Sequence, residues 1–194
     1  MYPKTRKVAA CCCLKPNEEV SEIVADFGLS LLRKVSKSDT DCLLSPLSIS
    51  VALGMILAGT DGNTAQQIRD VAFDGLSDSH IHASLRNAAS FLSASSGKYR
   101  LSLANRLCSQ RGFPPLDQFQ RILREYYGSQ SFAVVDIRKD VEAEINEWIK
   151  KKTWQNIQDV VPLGVFNEDT RLVMVNAIYF KGDWAFQFDE ELTI

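Results

Sequence analysis

Few residues of this 194-residue chain have the side chains and the spacing that chemistry requires. His80 and His82 flank one isoleucine, and in an extended segment they would lie on the same side, which supplies only half of a metal site. We expect both to be surface histidines. Ser45 has no histidine base near it in the sequence and precedes Pro46, a poor setting for a nucleophilic hydroxyl. We therefore predict a protein that is not an enzyme, with no catalytic residue, no metal site and no cofactor.

One asparagine, Asn176, interrupts an apolar segment at residues 172–180. The other eight residues of that segment are apolar, which predicts a central strand covered on both faces. A buried amide without a hydrogen-bond partner costs about 1–3 kcal/mol, so a polar group elsewhere in the chain should bind it. The candidate is segment 45–50, whose sequence Ser-Pro-Leu-Ser-Ile-Ser offers the hydroxyl groups of Ser45 and Ser48.

Hydrophobic periodicity predicts the elements that must position these residues. Helices are predicted where apolar residues recur every three or four positions, and strands where they alternate or run continuously. Proline, glycine and capping residues mark the ends of these elements. The predicted order is helix 20–35, a short strand at 43–44, helix 48–58, a helix that opens with a capping box at 64–67, helix 81–92, strand 99–108, helix 116–126, strand 132–137, helix 141–149 and strand 172–180. This order indicates an α+β fold.

The helix predicted over 141–149 carries both apolar and charged residues. Trp148 belongs to its apolar stripe, and we predict that Glu142, Glu144 and Glu147 form its solvated face. Three lysines at 150–152 follow near the carboxyl end, where positive charge is favourable.

The first 19 residues differ from the rest of the chain. A basic leader precedes a short apolar run at 8–14, which Lys15 ends at the lower limit of a signal peptide. We predict a flexible amino-terminal arm or a poor signal-like segment over 1–19, followed by one domain over 20–194. Cys11, Cys12 and Cys13 could carry an acyl chain or form mixed disulfides, but a free arm is the prediction.

Composition excludes several classes of function. With 45% hydrophobic and 24% charged residues the chain is typical of a soluble globular domain, and its net charge of -2 predicts no nucleic-acid partner. No segment approaches the roughly 20 apolar residues of a membrane span. The sequence also has no Asn-x-Ser/Thr acceptor, so glycosylation gives no indication of secretion.

Two long segments and several short motifs carry a resemblance to a known family. The segments are LLSPLSISVALGMILAGTDGNTAQQI at 43–68 and LVMVNAIYFKGDWAFQFD at 172–189. Between them lie Ala-Asn-Arg-Leu at 104–107, Tyr-Tyr-Gly at 126–128, Ile-Asn-Glu-Trp at 145–148 with Thr153, and segment 167–171. Together they resemble the serpins, the fold named for its serine protease inhibitors. From about Val20 to Ile194 the similarity is to the amino-terminal half of that family, which implies its helix-rich lobe and part of its central β-sheet, truncated before the reactive loop.

The resemblance implies roles for four residues. Ser45, Ser48 and Asn176 are similar to the shutter, a polar network under the centre of the serpin sheet that lets neighbouring strands part. The alternative is that the two serines cap or turn the Ser-Pro segment and that Asn176 is an ordinary satisfied core residue. Trp184 is similar to the tryptophan of the breach, where loop insertion begins, with an ordinary packed aromatic as the alternative.

The function implied by the resemblance is inhibition of a serine protease, or alternatively a cysteine protease, by a conformational trap. The protease cleaves the reactive loop, which then becomes a new strand of the sheet. The reactive loop is absent from these residues, so we expect that they cannot inhibit alone. The alternatives are a non-inhibitory serpin that acts as carrier or chaperone and an inactive truncated fragment. An uncovered edge of strand 172–180 predicts self-association. The family expectation is an extracellular protein, with the cytoplasm as the alternative.

The sequence departs from the family pattern at two places. Asp41 stands where an asparagine is common, and Trp154, Gln155 and Asn156 replace the usual Asn-Gly-Lys after Thr153. The second departure removes a glycine turn below the helix that covers the sheet. We expect it to alter how that helix docks.

Overall fold

The structure, a computed structural model, describes residues 18–36, 41–93, 99–128, 132–136, 141–184 and 186. The predictions for Cys11, Cys12 and Cys13 and for most of the amino-terminal arm fall outside these residues, although a helix already begins at Glu18. No helix of the described ranges is both long enough and apolar enough to cross a bilayer. The elements are α1 (Glu18–Val35), α2 (Pro46–Leu57), α3 (Gly62–Phe73), α4 (Asp78–Ser93), β1 (Tyr99–Gln110), α5 (Asp117–Tyr127), β2 (Phe132–Val135), α6 (Val141–Lys152) and β3 (Leu172–Gly182).

Strand β1 is the centre of a three-stranded mixed sheet with the order β2-β1-β3. It pairs in parallel with β2 and antiparallel with β3, in a register that runs from Tyr99 opposite Gly182 to Ser109 opposite Leu172. The prediction that 172–180 is the central strand is wrong for the described sheet, because β1 takes that place. β3 therefore has an outer edge that no strand of the described residues covers.

The two faces of the sheet pack against different helices. On one face, α1 to α5 form the larger core, in which Phe73 and Leu107 are almost wholly buried. On the other face α6 contributes Ile145, which packs in a second core with Cys108 and Val175. The chain is thus an α+β protein whose sheet lies between a helical layer and a single helix.

Strand β3 is covered only in its middle. Val175 is buried, whereas Leu172 and Phe180 near the two ends are 50% and 66% exposed. The prediction of a strand covered on both faces is therefore wrong for its ends. The two cores take up apolar side chains from the middle of the strand only, at 173–177.

The starts of α2, α3 and α4 differ from the sequence prediction by two or three residues. α2 begins at Pro46, a favoured first helical residue, and no strand forms at 43–44. α3 begins at Gly62, whose N–H donates to the side chain of the N-cap Asp61 at 2.7 Å, so the predicted capping box at 64–67 lies inside the helix. α4 begins at Asp78, three residues before the predicted start, and therefore contains both histidines.

Candidate functional site at the centre of the sheet

The first turn of α2 lies beneath the sheet, and its sequence explains why the helix starts there. Ser45 is the N-cap in extended backbone, and Pro46 follows at a position where a missing N–H costs no hydrogen bond. The Ser48 N–H donates to Ser45 Oγ at 3.4 Å, a long capping contact. Ser45 therefore acts as a helix cap, as the alternative interpretation of this serine proposed, while Ser48 is buried against the sheet.

Asn176 of β3 connects the sheet to α2. Its Nδ2 donates to Ser48 Oγ at 2.7 Å and to the Ser48 carbonyl oxygen at 2.9 Å. It also donates to Oδ1 of Asn105 at 2.5 Å, and Asn105 lies directly opposite Asn176 in the register of β1 and β3. The predicted hydrogen bond between Asn176 and segment 45–50 is confirmed. Three acceptors surround an amide that has two hydrogens, so at least one hydrogen is shared.

Asn105 is the member of this cluster that sequence reasoning missed. The alternating pattern at 99–108 places residue 105 on one face of its strand, but the partner across the strand pair is 71 residues away in the chain. The sequence signal that could have identified Asn105 is a lone asparagine in each of the two strands. Each strand carries an asparagine among apolar residues, and two such polar residues in paired strands satisfy each other when they lie opposite.

Asn176 is exposed, and the prediction of a buried amide is wrong. The reason is that β3 is an edge strand in the described sheet, so solvent reaches the residue from the outer edge. Ser48, on the helix side of the cluster, is 1% exposed. The cluster therefore has a buried acceptor and a solvated donor, and Asn176 can change partners without leaving its own amide unsatisfied.

Ser50 lies two residues after Ser48 and differs from it. Its side chain is fully buried, and its Oγ has no hydrogen-bond partner within the described part of the chain. A buried hydroxyl without a partner is unfavourable, and native structures contain few of them. The start of α2 thus has one satisfied and one unsatisfied buried hydroxyl below the sheet.

Trp184 follows β3 by two residues and is 71% exposed. The described residues therefore leave most of this side chain in contact with solvent. Eight residues of extended chain separate it from Asn176, which corresponds to roughly 26 Å. The structure therefore does not bring Trp184 into the polar cluster, and its breach role stays a prediction.

The two histidines occupy different environments. His82 is buried and its Nδ1 lies 2.7 Å from the Tyr127 hydroxyl oxygen, so the prediction of a surface histidine is wrong for this residue. α4 turns position 82 toward the end of α5, which supplies Tyr127. Burial lowers the pKa of His82 and raises the pKa of Tyr127, because each charged form would lose hydration. His80 remains partly exposed, with Nε2 3.8 Å from a carboxylate oxygen of Glu19.

Within the described ranges no three His, Cys, Asp or Glu side chains are grouped as a metal site would require. His82 uses its Nδ1 on Tyr127 instead. The arrangement on α4 and α5 is a buried hydrogen-bonded pair in the helical core.

The chain that follows α6 holds this helix on the sheet. Asn146 Nδ2 donates to the Val161 carbonyl oxygen, and Asn146 Oδ1 accepts the Val161 N–H, both at 2.9 Å. The Gly164 N–H donates to Glu142 Oε1 at 3.1 Å, and Glu142 is buried. The prediction that Glu142 lies on a solvated face is wrong, because segment 160–164 folds over it. The other two glutamates of that predicted face, at 144 and 147, are exposed.

Residues 22–194 match the family model described as Serpin (serine protease inhibitor). The leukocyte elastase inhibitor of Xenopus tropicalis is 38% identical to this chain over 181 residues, which cover 91% of this chain and 48% of that protein. The chain thus spans about half the length of the curated relatives that it matches.

Two solved structures extend the comparison to the fold. A cleaved serpin 42Da is 30% identical with a TM-score of 0.80, covering 91% of this chain and 48% of that one. Human thyroxine-binding globulin is 26% identical with a TM-score of 0.75, covering 89% of this chain and 48% of that one. The predicted fold class, a helix-rich lobe with part of a larger sheet, is confirmed by these matches.

Proposed function

Because the chain belongs to the serpin family, we propose that it forms the amino-terminal half of an inhibitor of serine-type endopeptidases. The inhibitor would act by inserting its cleaved reactive loop into the sheet. The name of the Xenopus tropicalis relative, an elastase inhibitor, supports a serine protease as partner, with a cysteine protease as the alternative. Residues 1–194 correspond to about half of that relative, so we do not propose that they inhibit alone.

The observation that carries this proposal is the open edge of β3 beside the Asn176 cluster. Strand addition requires an edge whose main-chain N–H and C=O groups are available to a new segment, and β3 has such an edge within the described sheet. Asn176 has acceptors on both Ser48 and Asn105, so it can keep one of them while strands move. We assign the shutter role to Ser48 and Asn176, with Ser45 as the cap that fixes the helix, and the breach role to Trp184.

The whole protein, isolated from its natural source, tests this proposal. Its intact mass is compared with the 21.7 kDa of this chain, and a mass of roughly twice that value is expected from the length of the relatives. The protein is then incubated with a serine elastase, and we expect a covalent complex that survives SDS electrophoresis. Residues 1–194 expressed alone are the control and should give no complex. Cleavage of the loop without a complex, across serine and cysteine proteases, would contradict inhibition.

A carrier function is the second candidate, favoured by the similarity to thyroxine-binding globulin, whose name states a bound hormone. The same incubation separates the two candidates. A carrier or chaperone would be cleaved as a substrate without trapping the protease. If the protein from its natural source has a mass of 21.7 kDa, the alternative of an inactive truncated serpin fragment is supported instead.

We place the protein in the cytoplasm, with the extracellular location as the alternative. Both cysteines of the described residues are free thiols, and Cys42 is exposed. Burial raises the pKa of Cys108 to about 11, so that thiol is protected from oxidation. An exposed free thiol persists best in a reducing compartment. Fractionation of the source cells tests this assignment.

The open edge of β3 also supports self-association of the segment 1–194. Unpaired N–H and C=O groups at a strand edge are a template for another chain. We expect the separately expressed segment to form oligomers in sizing experiments, and a monodisperse monomer would contradict this expectation.

A further inference from the structure

The chain after α6 turns back with a tryptophan in an uncommon backbone conformation. The Thr153 N–H donates to the Ile149 carbonyl oxygen at 2.9 Å, and the Gln155 N–H donates to the Lys150 carbonyl oxygen at 2.8 Å. The second bond spans five residues, which is the closure of a Schellman motif at a helix end. In such a motif the residue before the last donor is left-handed and is usually glycine. Here it is Trp154, with φ of 48°.

The next residue, Gln155, is also left-handed, with φ of 68°. This conformation is disfavoured for side chains with a β-carbon, because that carbon approaches the following carbonyl oxygen. It persists only where neighbouring groups hold it. Asn156 Nδ2 donates to the carbonyl oxygens of Thr153 and Trp154, both at 2.9 Å. The Ile157 N–H donates to Thr153 Oγ1 at 3.1 Å, and Thr153 is fully buried.

The ring of Trp154 meets β3 at Tyr179. The two ring centroids are 5.2 Å apart with an interplanar angle of 55°, within the range of favourable aromatic pairs. Tyr179 follows Asn176 by three residues, so the two side chains project from opposite faces of the strand. β3 is therefore held from both faces, by α2 through Asn176 and by the loop after α6 through Tyr179.

We propose that Trp154 is a positioning residue whose ring fastens the loop after α6 to β3, so that the Trp154–Tyr179 pair sets how readily the sheet opens. This inference rests on the proposed function, because a reactive loop would enter the sheet where the sheet opens. At residues 154–156 this sequence has Trp-Gln-Asn, where the serpin pattern usually has Asn-Gly-Lys. The left-handed backbone at 154 and 155 favours release of the loop, and the ring pair opposes that release.

Hydrogen–deuterium exchange of the β3 amides in the whole protein tests the proposal. Trp154→Leu removes the ring and keeps a β-carbon at the left-handed position, so it is expected to speed exchange at residues 177–180 by roughly two- to twelvefold, the range that an aromatic pair supplies. Tyr179→Leu should have a similar effect. The double variant should exceed neither single variant, because both remove the same contact. Trp154→Phe retains a ring and should change exchange less than Trp154→Leu.

Two further variants separate the ring contact from the backbone. Gln155→Gly removes left-handed strain while it leaves Trp154 in place, so we expect slower exchange in β3. Leu163→Asn is the matched control, since Leu163 is an exposed apolar residue farther along the same connection between α6 and β3. It should leave β3 exchange unchanged.

Unchanged exchange in Trp154→Leu, or effects of the two single variants that add in the double variant, would overturn the proposal. If Trp154→Leu does not fold by circular dichroism, Tyr179→Leu and Gln155→Gly carry the test with the directions given above. Exchange is measured without a protease. Failure to trap a protease would therefore count against the proposed function and leave the Trp154–Tyr179 contact untouched.

Discussion

The helical core and the outer edge of β3 differ in how completely they are enclosed. In the helical core, apolar residues form a continuous buried cluster, and the buried His82 has a partner in Tyr127. In β3, Leu172 and Phe180 near the two ends of the strand are exposed, and the outer edge of its main chain meets no other strand of the described residues. The helical core is therefore stabilised by its own contacts, whereas the outer edge of β3 has the features of a surface for a further strand.

The largest effect that tests this contrast is expected from a pair of matched truncations in residues 1–194. Phe73 is 1% exposed in the helical core, so Phe73→Ala should lower the free energy of unfolding by about 3–5 kcal/mol. Phe180→Ala removes the same side chain from the exposed end of β3 and should cost less than about 1 kcal/mol. Chemical denaturation measures both. Equal losses would show that the end of β3 is enclosed in solution and would break the comparison.

A smaller effect is expected from the serines of α2. Ser48→Ala removes one of three acceptors of the Asn176 amide and should destabilise the protein by about 0.5–1.5 kcal/mol. Ser50→Ala is the matched control, because its buried Oγ has no partner in the described part of the chain. That variant should be neutral or slightly stabilising. A Ser50→Ala loss as large as that of Ser48→Ala would mean that the Asn176 contact contributes nothing specific.

The pH dependence of stability probes the helical core through His82. Burial lowers the pKa of His82 in the folded state, against a smaller opposing effect of Asp78. The unfolded chain therefore binds a proton more readily below about pH 6.5. This contribution is fully present above that pH and is lost as the pH falls toward the lower folded pKa. Stability measured between pH 8 and pH 5 should fall less steeply in His82→Gln.

The groups that face His82 give the control for this titration. The hydrogen bond from Arg69 holds the pKa of Asp78 below its usual range, so Asp78 titrates at more acidic pH. Tyr127 has a raised pKa, and its ring and that of Tyr126 lie beside His82. The pKa of Tyr127 is raised by burial, so its hydroxyl does not titrate between pH 5 and pH 8. A slope that is unchanged in His82→Gln would assign the acid sensitivity to another group.

The smallest effect is expected at the helix caps. Asp61 accepts its hydrogen bond at 2.7 Å, and Asp61→Ala should cost about 1 kcal/mol. Ser45 accepts at 3.4 Å, so Ser45→Ala should cost about 0.5 kcal/mol, the low end of the range for caps. Thermal or chemical denaturation resolves the order of the two. The reverse order would indicate that Ser45 does more below the sheet than cap α2.

Strong local signals allowed much of the fold to be predicted from the sequence. The apolar stripe at 116–126 and the glycine at 128 predicted α5, which spans Asp117–Tyr127. The predicted start of α3 is wrong because Asp61 and Thr64 are both good capping residues. The capping-box spacing favours Thr64, whereas the helix is capped by Asp61. The burial of His82 was also predictable, because Ile81 and Leu85 are buried on the same helix. The prediction of a surface histidine instead treats the His-x-His spacing as an extended segment.

The neighbours of each strand were harder to predict than the strands themselves. Hydrophobicity indicates that a strand is buried, but it does not say which strand lies beside it. For that reason 172–180 was correctly predicted as a strand and wrongly placed at the centre. In the candidate site, Asn176 and Ser48 could be paired because an amide within an apolar segment needs a hydrogen-bond partner. Asn105 could not be added, since its contact depends on the register of two strands.

The antiparallel pairing of β1 and β3 has a consequence for synthesis on the ribosome. Ser109 lies opposite Leu172, so even the closest paired residues of the two strands are separated by about 60 residues of chain. At roughly 5–20 residues per second, β1 leaves the ribosome several seconds before its partner exists. The first neighbour it can recruit is the parallel strand β2, whose pairing begins at Phe132 opposite Leu107. The order of translation therefore makes β3 the last of the three strands to join the nascent sheet.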